Sequence, residues 1–170
     1  MPVRLAFVGF RHGHIFDLYR RVSETEAIEV VAACEEDDTA REAVTSKVAI
    51  THRDVDAMLA TVACDAVAVG DYYTKRGALI IKALEHNKHV ISDKPMCTDL
   101  DTLERIAALV AEKGLKIGCM LDMRDAAPFI GLRSLVRRGE IGEVHAIAFG
   151  GQHPLLLGTR PSWYFEPGKH

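Results

Sequence analysis

Short apolar runs rich in β-branched residues alternate along this chain with amphipathic stretches of helical spacing. The runs predict strands at residues 3–8, 28–34, 48–50, 65–69, 88–92 and 116–121. This alternation is typical of βαβ units on a parallel sheet. We therefore expect an α/β fold with a doubly wound parallel sheet over residues 1–121.

Four helices are predicted between these strands from the three- and four-residue spacing of apolar side chains. Their predicted inward faces are Ile15, Leu18, Tyr19 and Val22; Val55, Met58 and Leu59; Gly77, Ile80, Ile81 and Leu84; and Leu103, Ile106, Ala107 and Val110. A capping box is predicted over residues 51–54, with Thr51 opening the second helix. Asn87 and Gly114 are predicted to end the third and fourth helices.

The pattern changes after residue 121. We expect a helix over 128–138, a Gly-Glu-Ile-Gly turn over 139–142 and a strand over 143–149, for which the sequence offers no later partner. Residues 122–170 are therefore predicted to be a linker helix and the beginning of a second α+β domain.

Composition excludes several classes of protein. The formal net charge of -3 and the pI of about 6.2 provide no basic surface for nucleic acid. The sequence contains no apolar stretch of membrane-spanning length and no signal-peptide pattern, so we expect a cytoplasmic protein with no membrane partner. The four cysteines form no Cys-x-x-Cys pair and are expected to be small buried hydrophobic residues.

The turn after the first predicted strand resembles a dinucleotide-binding fingerprint, in which glycines let the cofactor pyrophosphate approach a helix N-terminus. Only Gly9 keeps the G-x-G-x-x-G register, because Arg11 replaces the second glycine and Gly13 falls one position before the third. With a strand before it and a helix after it, the turn predicts a Rossmann cofactor site at Gly9, Phe10, Arg11, His12 and Gly13. The alternative is a tight turn without a phosphate.

An acidic residue at the end of the second strand is the other part of the fingerprint, because it accepts hydrogen bonds from the ribose hydroxyls. Glu35 has that position and is followed by three more carboxylates. A 2′-phosphate would be repelled there, so NAD is predicted and NADP is less favoured. The alternative is a solvated acidic loop.

Lys94 follows the predicted strand 88–92, and lysine at the carboxyl end of a parallel strand faces the ligand crevice. Here the sequence resembles the glucose-fructose oxidoreductase and inositol dehydrogenase family (Gfo/Idh/MocA). The resemblance rests on residues 65–95, which end like that family's Glu-Lys-Pro segment, on the turn 139–144, and on Arg-Pro-Ser-Trp-Tyr-Phe at 160–165. These three marks occur in the family's order and span essentially the whole chain.

The resemblance implies that Lys94 lies beside the nicotinamide and the substrate hydroxyl and has a catalytic role. It also implies that the loop with Asp71 and Tyr72 contacts the cofactor. Three departures are visible. Asp93 replaces the usual glutamate, Arg76 stands where the family has a histidine, and the loop before it reads Asp-Tyr-Tyr in place of Thr-Pro-Asn.

Family members continue into a second domain that supplies an acid-base histidine and aspartate. The resemblance therefore implies that this chain is incomplete, inactive alone, and part of a homo-oligomer formed through the C-terminal sheet. Arg124 and His153 are candidate substrate-binding residues. His12 and His14 are close in sequence, but no Asp or Cys stands at ligand spacing beside them, so no metal is predicted.

The function that fits these features best is hydride transfer between NAD and a small-molecule substrate, namely a sugar, polyol or related hydroxy compound. Two alternatives remain at this point. One is a Rossmann reductase that acts on an imine or a conjugated bond. The other is a non-catalytic NAD-binding module or sensor.

Overall fold

Five parallel strands form one sheet in the order β2-β1-β3-β4-β5. They are β1 (Val3–Val8), β2 (Ile28–Cys34), β3 (Ala66–Val69), β4 (His89–Ser92) and β5 (Ile117–Cys119). The chain moves from β1 to β2 in one direction and then crosses to β3 on the other side of β1. The crevice at the carboxyl ends of β1 and β3 is therefore the switch point where doubly wound sheets bind ligands.

Six α-helices are present in the computed structural model, which describes residues 1–152 and 154–170. They are α1 (Gly13–Ser23), α2 (Asp38–Val44), α3 (Val55–Thr61), α4 (Tyr73–Glu85), α5 (Leu100–Lys113) and α6 (Ala127–Arg137). No described helix is long and apolar enough to cross a membrane. The α/β fold with a doubly wound parallel sheet is confirmed.

Alternate residues of β1 point to opposite faces of the sheet and create two cores. Ala6 and Val8 pack in the cluster that contains α3, α4 and α5. Leu5 and Phe7 pack in the cluster that contains α1. The sheet is thus buried on both faces, which explains why its strands are almost continuously apolar.

The strand predicted at 48–50 is wrong. Only a single bridge, between Cys34 and His52, joins this segment to β2. The hydroxyl of Thr51 accepts a hydrogen bond from the N–H of Ala33 at 3.1 Å, so a side chain takes the position of a ladder partner. Thr51 is therefore not the helix cap, and Asp54 caps α3 by accepting from the N–H of Ala57 at 2.7 Å.

Helix α2 was not predicted, and the inward face of α5 differs from the predicted one. Ile106 is buried as expected, but Leu103 is 42% exposed and Ala107 is also exposed. The helix is turned so that Thr102 faces Gly77 of α4, where a Cβ would lie 2.4 Å from the Thr102 methyl group. The missing side chain of Gly77 thus sets the rotation of α5.

Leu121–Tyr164 form a compact unit of their own, separate from Met1–Met120 and Phe165–His170. The predicted turn is confirmed, because Gly139 and Gly142 both have positive φ angles, of 71° and 70°. The strand predicted at 143–149 is wrong, since that segment has no regular secondary structure. A strand requires a ladder partner, and none of the described residues pairs with it.

Candidate active site

The turn between β1 and α1 brings its backbone close to the neighbouring strand. Gly9 has a φ of 73°, and a Cβ there would lie 2.6 Å from the Cβ of Asp71, so only glycine fits. The N–H of Arg11 then donates to the carbonyl of Gly70 at 3.1 Å. Helix α1 begins at Gly13, where an added Cβ would meet nothing within 4 Å. Gly13 is also exposed, so a ligand can approach the backbone at this point of the helix N-terminus, where anions bind.

Glu35 follows β2 and is only 1% exposed. One carboxylate oxygen accepts from the N–H of Phe10 at 3.0 Å and from Arg11 Nη1 at 2.5 Å. The other accepts from Arg11 Nη2 at 2.7 Å and from the N–H of Asp37 at 3.0 Å. A carboxylate has about four acceptor positions, and here all four are occupied by groups of the chain.

The prediction that Glu35 is available to the cofactor ribose is therefore wrong for this structure. The physical reason is Arg11, whose guanidinium is buried and lies 4.6 Å over the ring of Tyr72. Burial opposes its charge, but Asp71 and Glu35 raise the pKa of Arg11 above its ordinary value. Glu35 itself would also repel a 2′-phosphate less than expected, because Arg11 neutralises its charge.

The other predicted cofactor residues, in this turn and in the loop after β3, differ in whether their side chains reach the site. Phe10 lies in the core, with its ring 6.0 Å from that of Phe7, so only its backbone is available at the site. Asp71 is buried and accepts from the N–H of Tyr72 at 2.6 Å. Lys169 lies 4.5 Å from the centre of the Tyr72 ring. Tyr72 therefore has cations against its ring.

A second saturated carboxylate follows β4. Asp93 is fully buried, and one of its oxygens contacts His12 Nδ1 at 2.8 Å and Arg76 Nη2 at 3.2 Å. The other contacts His14 Nδ1 at 3.0 Å and accepts from the N–H of Lys94 at 2.7 Å. Burial alone would raise the pKa of Asp93, but the hydrogen bond from His12, the charge of Arg76 and the contact with His14 lower it to about 2. Asp93 is thus ionised, and each imidazole donates its Nδ1 proton to it.

Arg76, like Asp93 and His14, lies in the site and was not among the predicted site residues. It is fully buried on α4 and also donates to the carbonyls of Asp71, at 2.7 Å, and Pro95, at 3.1 Å. Two of the departures from the family pattern, Arg76 and Asp93, therefore contact each other. The signal in the sequence was an arginine one turn before Ile80, on the buried face of a helix.

Lys94 lies where the sequence predicted, just beyond the carboxyl end of β4 and directly after Asp93. Its side chain is half-buried, and its ammonium has no hydrogen-bond or ion-pair partner among residues 1–152 and 154–170. Two imidazoles, those of His12 and His14, share Asp93 with the backbone N–H of Lys94. An Asp therefore does stand beside the two histidines in space, although not in the sequence: their ring nitrogens and an Asp93 oxygen lie within 4.8 Å of one another.

The two candidate substrate residues of the C-terminal part have different outcomes. Arg124 is exposed and lies at the rim of a 460 Å³ surface pocket with Phe129, Leu132 and Phe149. This pocket lies within the unit Leu121–Tyr164. His153 lies outside the described residues, so its predicted role stays a prediction.

A dinucleotide fits this site at one end better than at the other. Gly9 and the open N-terminus of α1 leave room for a pyrophosphate. The half-buried Lys94 is uncommitted at the end of β4. At the end of β2, the ribose contact expected from Glu35 is taken by Arg11. The class that this fold and site define is a Rossmann domain with a modified glycine turn.

The chain belongs to the Gfo/Idh/MocA family. Residues 3–120 match the family described as the oxidoreductase family with an NAD-binding Rossmann fold. An uncharacterized oxidoreductase of Rhizobium meliloti, ORF334, is 29% identical over 147 residues, which are 85% of this chain and 44% of that protein. The chain thus spans less than half the length of this curated relative.

Solved structures share the fold. The scyllo-inositol dehydrogenase of Lactobacillus casei with NAD(H) and scyllo-inositol has a TM-score of 0.72 and 20% identity, over 84% of this chain and 43% of that one. The WlbA dehydrogenase of Bordetella pertussis with NADH and UDP-GlcNAcA has a TM-score of 0.74 and 20% identity, over 84% of this chain and 44% of that one. At this identity the likeness establishes the fold alone.

Proposed function

We propose that the protein is an NAD-dependent oxidoreductase that transfers a hydride between the cofactor and a carbinol carbon of a sugar, polyol or related small hydroxy compound. The observation that carries the proposal is Lys94, whose ammonium is half-buried at the crevice and bound to no described group. Asp93 fixes the backbone of Lys94 through the 2.7 Å hydrogen bond. A held cation of this kind suits a substrate oxygen that becomes an alkoxide.

The cofactor supplies the hydride acceptor, and the chain supplies binding and orientation. The amides at the start of α1 would hold the pyrophosphate, and Gly9 would let it approach. Three further carboxylates follow Glu35 in the chain, and a 2′-phosphate would meet them. NAD is therefore proposed over NADP. Two nearby guanidiniums are already committed, that of Arg11 to Glu35 and that of Arg41 to Asp38.

The test is Lys94→Ala in the gene product of native length. Because the lysine acts on the transition state, kcat with a panel of polyols and sugars is expected to fall far more than NAD affinity measured by calorimetry. Lys116→Ala is the control, since Lys116 is an exposed lysine at the opposite, amino end of the sheet. An unchanged kcat in Lys94→Ala would contradict the role of Lys94, and equal affinity for NAD and NADP would contradict the cofactor preference.

One observation favours a second candidate, a non-catalytic nucleotide-binding module. The Glu35 end of the site is closed by Arg11, as it would be in a chain that no longer uses the full dinucleotide mode. Calorimetric binding of NAD without turnover of any hydroxy compound would support this candidate. The inactivity of the 170-residue chain alone, the homo-oligomer and the cytoplasmic location stay predictions.

A further inference from the structure

His12 and His14 both contact the buried carboxylate of Asp93, which precedes Lys94 in the chain. A carboxylate that orients an imidazole in this way is an arrangement used for proton transfer. The Nδ1 atom of His14 lies 3.0 Å from Asp93. Since Asp93 is an ionised acceptor, that Nδ1 carries the proton, and Nε2 on the other side of the ring has a lone pair. Nε2 has no hydrogen-bond partner among the described residues, and the side chain is 35% exposed.

We propose that His14, oriented by Asp93, is the proton-transfer group of the reaction, so that the cofactor domain carries its own acid-base residue. This rests on the proposed function. In carbinol oxidation the C–H bond breaks and its hydride goes to the nicotinamide, while the O–H bond breaks and its proton goes to His14 Nε2. The carbonyl bond forms from the oxygen electrons, and the imidazolium later releases its proton to water. His14 is the catalytic residue here, and Asp93 is a positioning residue.

His14 is chosen over His12 on exposure and position. The side chain of His12 is only 14% exposed, and His12 stands at the N-cap position directly before α1. The two rings lie edge to face with centroids 4.3 Å apart, so His12 packs against His14 and limits its rotation. Because Asp93 also binds Arg76 and the N–H of Lys94, the carboxylate itself is held from four directions.

A metal ion is the other chemistry that two histidines and a carboxylate suggest. The surrounding charges oppose it, because the guanidinium of Arg76 lies 3.2 Å from the same oxygen that contacts His12. The N-terminus of α1 adds a positive partial charge beside both histidines. Every acceptor position of Asp93 is already filled by a donor of the chain, which leaves no lone pair for a cation.

The first experiment is His14→Asn in the gene product of native length. The Asn amide can still donate to Asp93, but it has no basic ring nitrogen. We expect kcat to fall by about 10²- to 10⁴-fold, the usual contribution of general acid-base catalysis, with NAD affinity within about twofold of wild type. His86→Asn is the matched control, because His86 is an exposed histidine at the end of α4 whose Nδ1 also has a partner, the carbonyl of Lys82.

The second experiment needs no turnover. Long-range ¹H–¹⁵N spectra of the histidine rings in the unliganded chain, recorded where the ring is neutral, should show His14 with its proton on Nδ1 and with Nε2 bare. This measurement stays decisive if His14→Asn fails to fold. A His14 ring with its proton on Nε2 would overturn the proposal.

The outcomes separate the two proposals. Wild-type turnover with an unchanged kcat in His14→Asn overturns the role of His14 and leaves the proposed function standing. A loss of NAD affinity without a change in kcat makes His14 a cofactor contact and also overturns the role. No turnover of any hydroxy compound by wild type overturns both. Loss of activity with EDTA that Zn²⁺ restores would show a metal site instead.

Discussion

Two buried carboxylates stand at the carboxyl ends of two strands of the same sheet, and their partners give them different uses. Glu35 is saturated by Arg11 and by backbone N–H groups, so its network ends inside the protein. Asp93 is saturated in part by the imidazoles of His12 and His14. An imidazole has a second nitrogen on the far side of the ring, whereas a guanidinium has only donors. Arginine therefore closes one end of the site, and histidine extends the other.

The largest expected effect comes from breaking the buried pair of Arg11 and Glu35. Glu35→Gln removes the carboxylate that binds both terminal nitrogens of the buried Arg11 and leaves Asp71, at 3.5 Å, as its remaining counter-charge. A buried pair that loses one partner costs about 3–5 kcal/mol of unfolding free energy, and we expect a loss at the lower end of that range. Urea denaturation checks this. Glu85→Gln is the control, because its pair with Arg105 is about half exposed and should cost less than about 1 kcal/mol. Equal losses in the two variants would show that the Glu35 end is open to water.

The Asp93 end should be visible in acid. The pKa of Asp93 is about 2, below the ordinary value of 3.8, so its interactions stabilise the fold above about pH 4. That stabilisation, about 2 kcal/mol, is lost as the pH falls from 4 through 2. Unfolding curves from pH 5 to 2.5 measure it, in an Asp65→Asn background because the pKa of Asp65 is also about 2. A flat pH dependence in that background would mean that Asp93 is not held as described.

A smaller effect, on NAD affinity, is expected from removing the Arg11 side chain that occupies Glu35. Arg11→Gly restores the second glycine of the fingerprint and frees Glu35 to accept from the ribose hydroxyls. A hydrogen bond to a charged group contributes about 1.5 kcal/mol, so NAD affinity should rise about tenfold in calorimetry. Weaker binding in this variant would mean that Arg11 itself contacts the cofactor. Thermal denaturation alongside shows whether the variant is folded.

Local pattern predicted the sheet well. The bounds of β1 and β2 agree with the predicted residues, because each strand ends in a buried apolar run, at residues 5–8 and 32–34. The segments at 48–50 and 143–149 were predicted on the same local grounds and do not form strands. What they lack is a ladder partner, and pairing is a property of the tertiary fold that no local window contains.

The candidate site was predicted in its positions and not in its contacts. Glu35 and Lys94 lie at the strand ends where the sequence placed them. Which groups they face depends on pairs far apart in the chain, such as Arg11 with Glu35 across 24 residues and His14 with Asp93 across 79. Periodicity and motif spacing do not encode such pairs, which arise when parallel strands bring their ends together.

The most direct test of this comparison is an NMR titration of the ¹⁵N-labelled chain with NAD. We expect large chemical-shift changes at the backbone amides of Gly13, His14 and Lys94 when NAD binds. The side-chain Nε–H signal of Arg11 should not move, because the pair of Arg11 with Glu35 persists. A moving Arg11 signal with an unmoved Lys94 amide would contradict the account, since the cofactor would then bind at the end described as closed.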